Sequence, residues 1–293
     1  MAINVSGIKE YIDESRLPLI RKSATGAPTL NYIEKMYGVK GKTTLNLLET
    51  AVTFGDGTKC GFQDEGESTL SQRTIEPAII KVNKKFCDMD LQKYFLNKEV
   101  QIVAGGAKLP AEQEFVNDVI DGTVEGLEKF VWNEDNVIGS AHFKGFLGLK
   151  SEMTQAVKGA TVYASTKAVY RAIPADSIRN SVIFMGQDSF RDLVMELTEK
   201  NLYHYDPKID ESWEIVLPGT VTKVVGVPGL DGKKAIISLN TKHAFYATDL
   251  EGSEEVLKAW YSDDDQDFKM LIKFAAGVQV AFPKENVYCN LGE

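Results

Sequence analysis

The residues able to do chemistry are scattered along this sequence, and in each case the spacing argues against the reaction. Gly41-Lys42-Thr43 matches the end of a phosphate loop, where backbone N–H groups cradle phosphates and the lysine reaches the outermost one. That pattern needs a glycine where Met36 stands and a strand before it, so a plain turn is expected. Asp263, Asp265 and Asp267 have the opening spacing of a calcium loop, but position six is Phe268 and position twelve is Phe274, where glycine and glutamate are required. A solvated acidic turn is the reading there, with weak divalent binding as the lesser alternative. His142, His204 and His243 are isolated from any second His or Cys at ligand spacing, and no Gly-x-Ser-x-Gly elbow exists. Cys60, Cys87 and Cys289 are odd in number and far apart, which points to reduced thiols rather than a disulfide framework or zinc ribbon. Glu125, Glu128 and Glu134 can share one helix face, where such carboxylates usually form the wet side. Tyr203-His204-Tyr205 can stack on a base or sugar but lacks neighbouring Arg or Lys, so it reads as a helix C-terminus. No catalytic residue, cofactor or metal is expected, and the work falls to surfaces.

The composition agrees. At 293 residues the chain can bury a sizeable core as one large or two medium domains. With 43% hydrophobic and 26% charged residues and no low-complexity run, disorder is expected only at the ends. A net charge of −9 argues against broad contact with nucleic acid or an anionic membrane, while leaving room for a local basic patch. No apolar run approaches the roughly 18 residues of a membrane span, and the first residues lack a basic region followed by an apolar one. A soluble, unexported protein is the expectation.

The element that must organise such a chain is the stretch from Leu109 to Trp132. Pro110 suits a first helical turn, Glu112 and Glu114 suit the positive end of the helix dipole, and two apolar ladders follow at helical spacing. One runs Phe115, Val119, Leu127, Phe130; the other runs Val116, Ile120, Val124, Leu127, Val131. The predicted helix is roughly 36 Å long, a spine, with Gly122 and Gly126 expected to allow close packing or a bend.

Residues 1 to 48 contain short amphipathic pieces at Ile8–Ile12 and Leu30–Ile33, divided by turn-rich Ser23–Pro28, and read as an arm that must lie on something else. Leu47 to Asp90 reads as a long hairpin with a polar, glycine-rich tip whose only large apolar residue is Phe62, and with Ala78–Val82 as a strand. A short helix is predicted over Phe86–Leu96 and a strand over Glu99–Ala104. Beyond the spine, Ser181–Met185 is a predicted strand, followed by a helix capped by Asp188 and ending near Tyr203, then short strands to Leu239. Ala244–Thr248, Glu255–Tyr261, the alternation Phe268/Met270/Ile272/Phe274, Gly277–Pro283 and Val287–Cys289 complete an α+β reading.

In this order the elements resemble the major capsid proteins of tailed bacteriophages, the Hong Kong phage capsid fold that encapsulin nanocompartments share. The likeness is carried by Gly61–Gln72 with Thr74-Ile-Glu-Pro77, by Phe86-Cys-Asp-Met-Asp-Leu91, by the spine with Phe143–Leu147 after it, and by Gly277–Pro283. The resemblance implies an N-arm (1–48), an extended loop (49–84), a peripheral domain (85–139 and 249–275, with spine helix 109–132) and an axial domain (140–248 and 276–293). It implies hexamers and pentamers closing an icosahedral shell in the virion, assembled in the host cytoplasm around double-stranded DNA held without sequence specificity. The partners it implies are neighbouring capsomers, portal and decoration proteins, and no membrane. No long charged helical segment precedes the arm, so a scaffold, if used, is a separate protein or one already removed. Lys59 lies in the segment where some members crosslink, but nothing identifies its partner and no crosslink is predicted. The expected assembly contacts are Phe62, Gln63 and Asp64 in the loop and Asp263, Asp264, Asp265 and Asp267 near a three-fold axis, faced by Lys258, Lys269 and Lys273 of neighbours or by cations. The alternatives are an encapsulin-like compartment and an enzyme with an unrecognised site.

Overall fold

The computed structural model describes residues 5–54, 58, 66–87, 111–139, 141–200, 213–249, 256–262, 264–265 and 267–292. The chain opens with α1 (Val5–Thr25), turns at Pro28–Asn31, forms β1 (Glu34–Met36), and runs into a hairpin of β2 (Thr43–Val52) and β3 (Gly66–Ile75). Then come β4 (Ala78–Cys87), the spine α2 (Ala111–Trp132), the small hairpin of β5 (Asn136–Ile138) and β6 (Ala141–Phe143), and β7 (Thr154–Gln155). The central part is α3 (Val162–Ala172), β8 (Ser181–Gly186), α4 (Gln187–Glu199), β9 (Glu214–Val216), β10 (Lys223–Val227) and β11 (Ala235–Asn240). It closes with β12 (Ala244–Thr248), β13 (Val256–Ser262), β14 (Asp267–Val280) and β15 (Val287–Asn290).

The arm corrects its sequence reading. Its first piece, Ile8–Ile12, belongs to a 21-residue helix, Val5–Thr25, that runs through Pro18, while the second, Leu30–Ile33, stays separate and begins in the turn at Pro28–Asn31. Proline removes one backbone hydrogen bond, but Ile12, Leu19, Ile20 and Ala24 are buried against the spine and the sheet of β13 and β14, and that burial outweighs the local defect. On the spine, Val116, Val119, Ile120, Leu127, Phe130, Val131 and Trp132 are buried as the periodicity requires. The side chain of Phe115 and residues 109–110 lie outside the described residues. A Cβ on Gly122 or Gly126 would meet open space, so close packing is not what these glycines serve.

Fourteen-residue β14 is the hub of a five-stranded sheet with β1, β4, β12 and β13. Here too a reading is corrected, because Ala78–Val82 is not the return strand of the projecting hairpin. The hairpin returns through β3, paired with β2 over ten positions from Thr43↔Ile75 to Val52↔Gly66, and β4 then pairs with β14 from Ala78↔Ala276 to Cys87↔Asp267. The change of partner happens at Pro77, which has no N–H to donate and crosses so close to Gly277 that a Cβ there would lie 2.9 Å from Pro77 Cα. Phe86 and Cys87 are therefore strand; the rest of the predicted 86–96 helix and the 99–104 strand lie outside the described residues.

A six-stranded sheet in the order β7-β15-β11-β8-β10-β9 forms the second layer. Every residue of β8 and β11 is buried, because one face packs on the core shared with α1 and α2 and the other on α3 and α4. The cap predicted for α4 is supplied differently: Gly186 occupies the N-cap, and the first N–H of the helix, from Gln187, goes to Asp231 Oδ1 from the β10–β11 turn. Asp188 accepts from Ser189 N in the first turn through Oδ1 (2.7 Å) and from Gly232 N through Oδ2 (3.1 Å). The helix stops at Glu199, and Tyr203 lies outside the described residues.

Candidate functional site

The β2–β3 hairpin is anchored at its base and bare beyond it. Ile75 is buried with Val39 and Ala247, Arg73 pairs with Glu152, and Gln279 Nε2 donates to the Thr74 carbonyl at 2.8 Å. Farther out, Leu48 stands directly opposite Leu70, and the two are 62% and 80% exposed. Val52 is 73% exposed and Phe54 99%. Valine, leucine and phenylalanine suit a strand that packs, and these are left largely uncovered by the described residues. Among the described residues, side-chain bonds from Gln72 to Asn46 (3.0 Å) and from Ser68 to Thr50 (3.4 Å) tie the two strands. The predicted contact residues Phe62, Gln63 and Asp64, with Lys59, lie outside the described residues.

The acidic turn between β13 and β14 is partly neutralised from within the subunit. Asp265 pairs with Lys269 and accepts from Ser262 Oγ at 3.2 Å; the Lys269 ammonium holds its carboxyl below the usual range. Asp267, whose side chain is 7% exposed, pairs with Lys85 Nζ at 2.7 Å, and that carboxylate pushes the lysine's pKa up. Lys85 reaches the turn because β4 runs alongside β14, a pairing that spacing in sequence does not reveal. Asp264 is exposed and has no partner among the described residues; Asp263 lies outside them.

A buried carboxylate overturns the reading of the spine's acids. Glu125 is exposed and exposed Glu134 pairs with Lys150, but Glu128 is fully buried. Its Oε2 accepts from Thr29 N (3.1 Å), and its Oε1 from the Thr29 hydroxyl (2.5 Å) and Trp132 Nε1 (3.0 Å). Burial is the largest influence and raises its pKa, against these donors and Lys233. The turn at Pro228–Leu230 closes over the group, and only a glycine at 229 fits, since a Cβ would lie 2.4 Å from Trp132 Cδ1. Glu128 thus fastens the arm to the spine.

The other candidate residues that the structure describes are taken up in structural bonds. Thr43 Oγ1 donates to Gly41 O (3.2 Å) and Thr43 begins a strand, which rules out a phosphate loop opening a helix. His142 bonds Asp135 (3.0 Å), and His243 bonds Glu285 (2.6 Å) with Asn240 beside it (3.2 Å); neither histidine contacts a nucleophile in the bonds described. His204 lies outside the described residues. In a cleft of about 450 Å³, Glu196 is committed to the N–H groups of Val162 (2.9 Å) and Tyr163 (3.1 Å), at the start of α3. In another of about 610 Å³, Lys233 Nζ donates to Asn133 Oδ1 at 2.7 Å. Among the described residues no group of three or more His, Cys, Asp or Glu is placed to hold a metal, and no helix is long and apolar enough to cross a membrane.

No protein-family model and no curated protein matches the chain. Solved structures do. A virus-like particle from Pyrococcus furiosus aligns at 10% identity and TM-score 0.54 over 94% of this chain and 96% of that one. The satellite phage P4 procapsid that includes the size determination protein aligns at 10% identity and TM-score 0.62, over 95% and 90%. The capsid of an empty GTA particle aligns at 10% identity and TM-score 0.61, over 92% and 90%. At such identities the likeness is one of fold: the chain has the α+β Hong Kong phage capsid fold along nearly its whole length.

Proposed function

We propose that this chain is the major capsid protein of a tailed phage, a subunit that assembles with copies of itself into hexamers and pentamers of an icosahedral shell. The observation that carries the reading is the hairpin, whose opposed Leu48 and Leu70 leave an apolar ladder uncovered in a subunit that otherwise has the fold of capsid proteins. A two-stranded ribbon of this kind is marginal alone in water and gains stability when a neighbour covers it. The division into N-arm (1–48), extended loop (49–84), peripheral domain (85–139 and 249–275) and axial domain (140–248 and 276–293) belongs to the same proposal. So do double-stranded DNA as contents, separate scaffolding, portal and decoration partners, assembly in the host cytoplasm, and contacts through Phe62, Gln63, Asp64, Asp263, Asp264, Asp265 and Asp267. In this reading the protein acts through surfaces and is not an enzyme; the commitment of Glu196 and Lys233 to structural bonds supports that.

The test is electron microscopy of particles purified from cells making the protein, with assay of nuclease-protected nucleic acid. Closed particles enclosing DNA are expected. Particles filled with a cargo protein would replace this reading with a compartment, and a chain that stays monomeric at high concentration would overturn both.

A further inference from the structure

The base of the β2–β3 hairpin is held by both sheets of its own subunit, and one side chain makes the second connection. Ile75 is buried with Val39 and Ala247 in a small cluster separate from the two large cores, so the hairpin is rooted in the first sheet by a joint of its own. The tie to the second sheet is polar. Arg73 Nη2 donates to Glu152 Oε2 at 2.5 Å and to Gln279 Oε1 at 3.5 Å. Gln279 belongs to β14 of the five-stranded sheet, whereas Glu152 ends the short helical turn Phe146–Glu152 that leads into β7, an edge of the six-stranded sheet. Gln279 is fixed in place, because its Nε2 donates to the Thr74 carbonyl at 2.8 Å and its Oε1 accepts from Val280 N at 3.0 Å. The guanidinium on β3 thus stands between the two sheets.

Its bonding is lopsided. Arginine commonly grips a carboxylate with two parallel N–H bonds, yet here Nη2 serves both acceptors while Nε is buried without a hydrogen-bond partner among the described residues. A buried N–H left unpaired costs free energy, and a small tilt of the hairpin that brings Nε to Glu152 Oε1 would recover it. The pair can therefore stay engaged while the hairpin tilts. We infer that Arg73 is the positioning residue of the hairpin, gearing its inclination to the second sheet through Glu152. At roughly 3.3 Å per residue Ser68 stands about 23 Å along β3 from Ile75, so a tilt of about 15° carries it about 6 Å. A slight shift between the sheets is magnified at the outer half of the hairpin. The inference concerns the single subunit and goes beyond the shell reading, since it holds or fails whether or not the chain builds particles.

Pulsed EPR distances on the dilute, unassembled full-length chain test it, in a background of Cys60→Ser, Cys87→Ser and Cys289→Ala. Spin labels at Ser68→Cys and Val157→Cys, both exposed, measure the hairpin against the second sheet next to β7; labels at Ser68→Cys and Lys258→Cys measure it against β13 of the first. Arg73→Gln and Glu152→Gln are each expected to widen the distribution toward the second sheet by about 6 Å, the travel of that tilt. Melting temperature should stay within about 2 °C of the parent, because the pair is partly exposed. The exchange Arg73→Glu/Glu152→Arg should restore the narrow distribution. Raising salt from about 0.05 to 0.5 M should widen the parent's distribution and leave those of the single variants unchanged, since screening acts on the pair alone. Parent-like widths in both single variants would overturn the inference, and so would an exchange no narrower than they are. Early melting with both distances widened equally would also overturn it, leaving Arg73 a merely structural residue.

Discussion

Thr29 is bonded to Glu128 through both its backbone N–H and its hydroxyl, although 99 residues separate them. Because burial raises the pKa of Glu128 above its usual 4.5, the folded state holds this proton more tightly than the unfolded chain. The stability it contributes is therefore fully present below about 4.5 and is lost as pH rises toward the folded value. Glu128→Gln should remove that slope, so urea melts of variant and parent should diverge increasingly above pH 4.5 in the variant's favour. Thr29→Val, which takes away one donor, should cost about 1–3 kcal/mol and loosen α1 first, as read by hydrogen exchange of residues 12–24. Parallel pH curves for Glu128→Gln and parent would show that folding does not raise the pKa of this carboxyl.

Leu127 lies at the centre of the buried face of the spine. Leu127→Ala should cost about 2–5 kcal/mol, a large share of the stability of an ordinary domain, and Ile120→Val about 0.5–1.5 kcal/mol. Denaturant unfolding of the unassembled subunit measures both, and a wild-type midpoint for Leu127→Ala would mean the stripe contributes little.

The hairpin leucines should behave in the opposite way. Leu48→Ser with Leu70→Ser should leave subunit melting within about 0.5 kcal/mol of the parent, since both side chains are exposed, while particle yield collapses. Normal closed particles from the double variant would remove the hairpin from assembly.

In the acidic turn the described residues divide by environment. Asp267→Asn should lower the melting temperature, because Lys85 loses its partner at a nearly buried position. Asp264→Asn should leave melting unchanged and instead shift the calcium and salt dependence of particle yield. Identical titration curves for Asp264→Asn and parent would reduce this turn to a solvated connection.

The spine and β14 were legible in the sequence because their periods, near 3.6 and 2, run long enough to outvote local exceptions. The helix predicted over 109–132 and the observed Ala111–Trp132 differ only at a start that lies outside the described residues. What stayed hidden depends on partners distant in sequence. The length of α1 beyond Ile8–Ile12 shows only once the arm is seen lying on α2, and Glu128 reads as a wet residue until Thr29 arrives from that arm. Ala78–Val82 reads as the hairpin's own strand because alternation identifies a strand but not its neighbour. Likewise the charge of the acidic turn is visible in sequence, whereas Lys85 as its counter-ion is visible only in the sheet. The contact proposal at Phe62, Gln63 and Asp64 rests on resemblance alone.

The pairing of β4 with β14 also sets a timetable for the newborn chain. Cys87 must wait for Asp267, about 180 residues later, before the two strands can zip. At synthesis speeds of roughly 5–20 residues per second that is about ten to forty seconds, during which Ile80, Val82 and Phe86 have left the ribosome without their permanent cover. The β2–β3 hairpin, whose strands are close in sequence, can close long before. A ribosome-bound intermediate thus exposes a sticky ten-residue edge, which is a natural target for a holding chaperone. A stop codon placed anywhere before β14 should yield a product that aggregates however well the spine has formed.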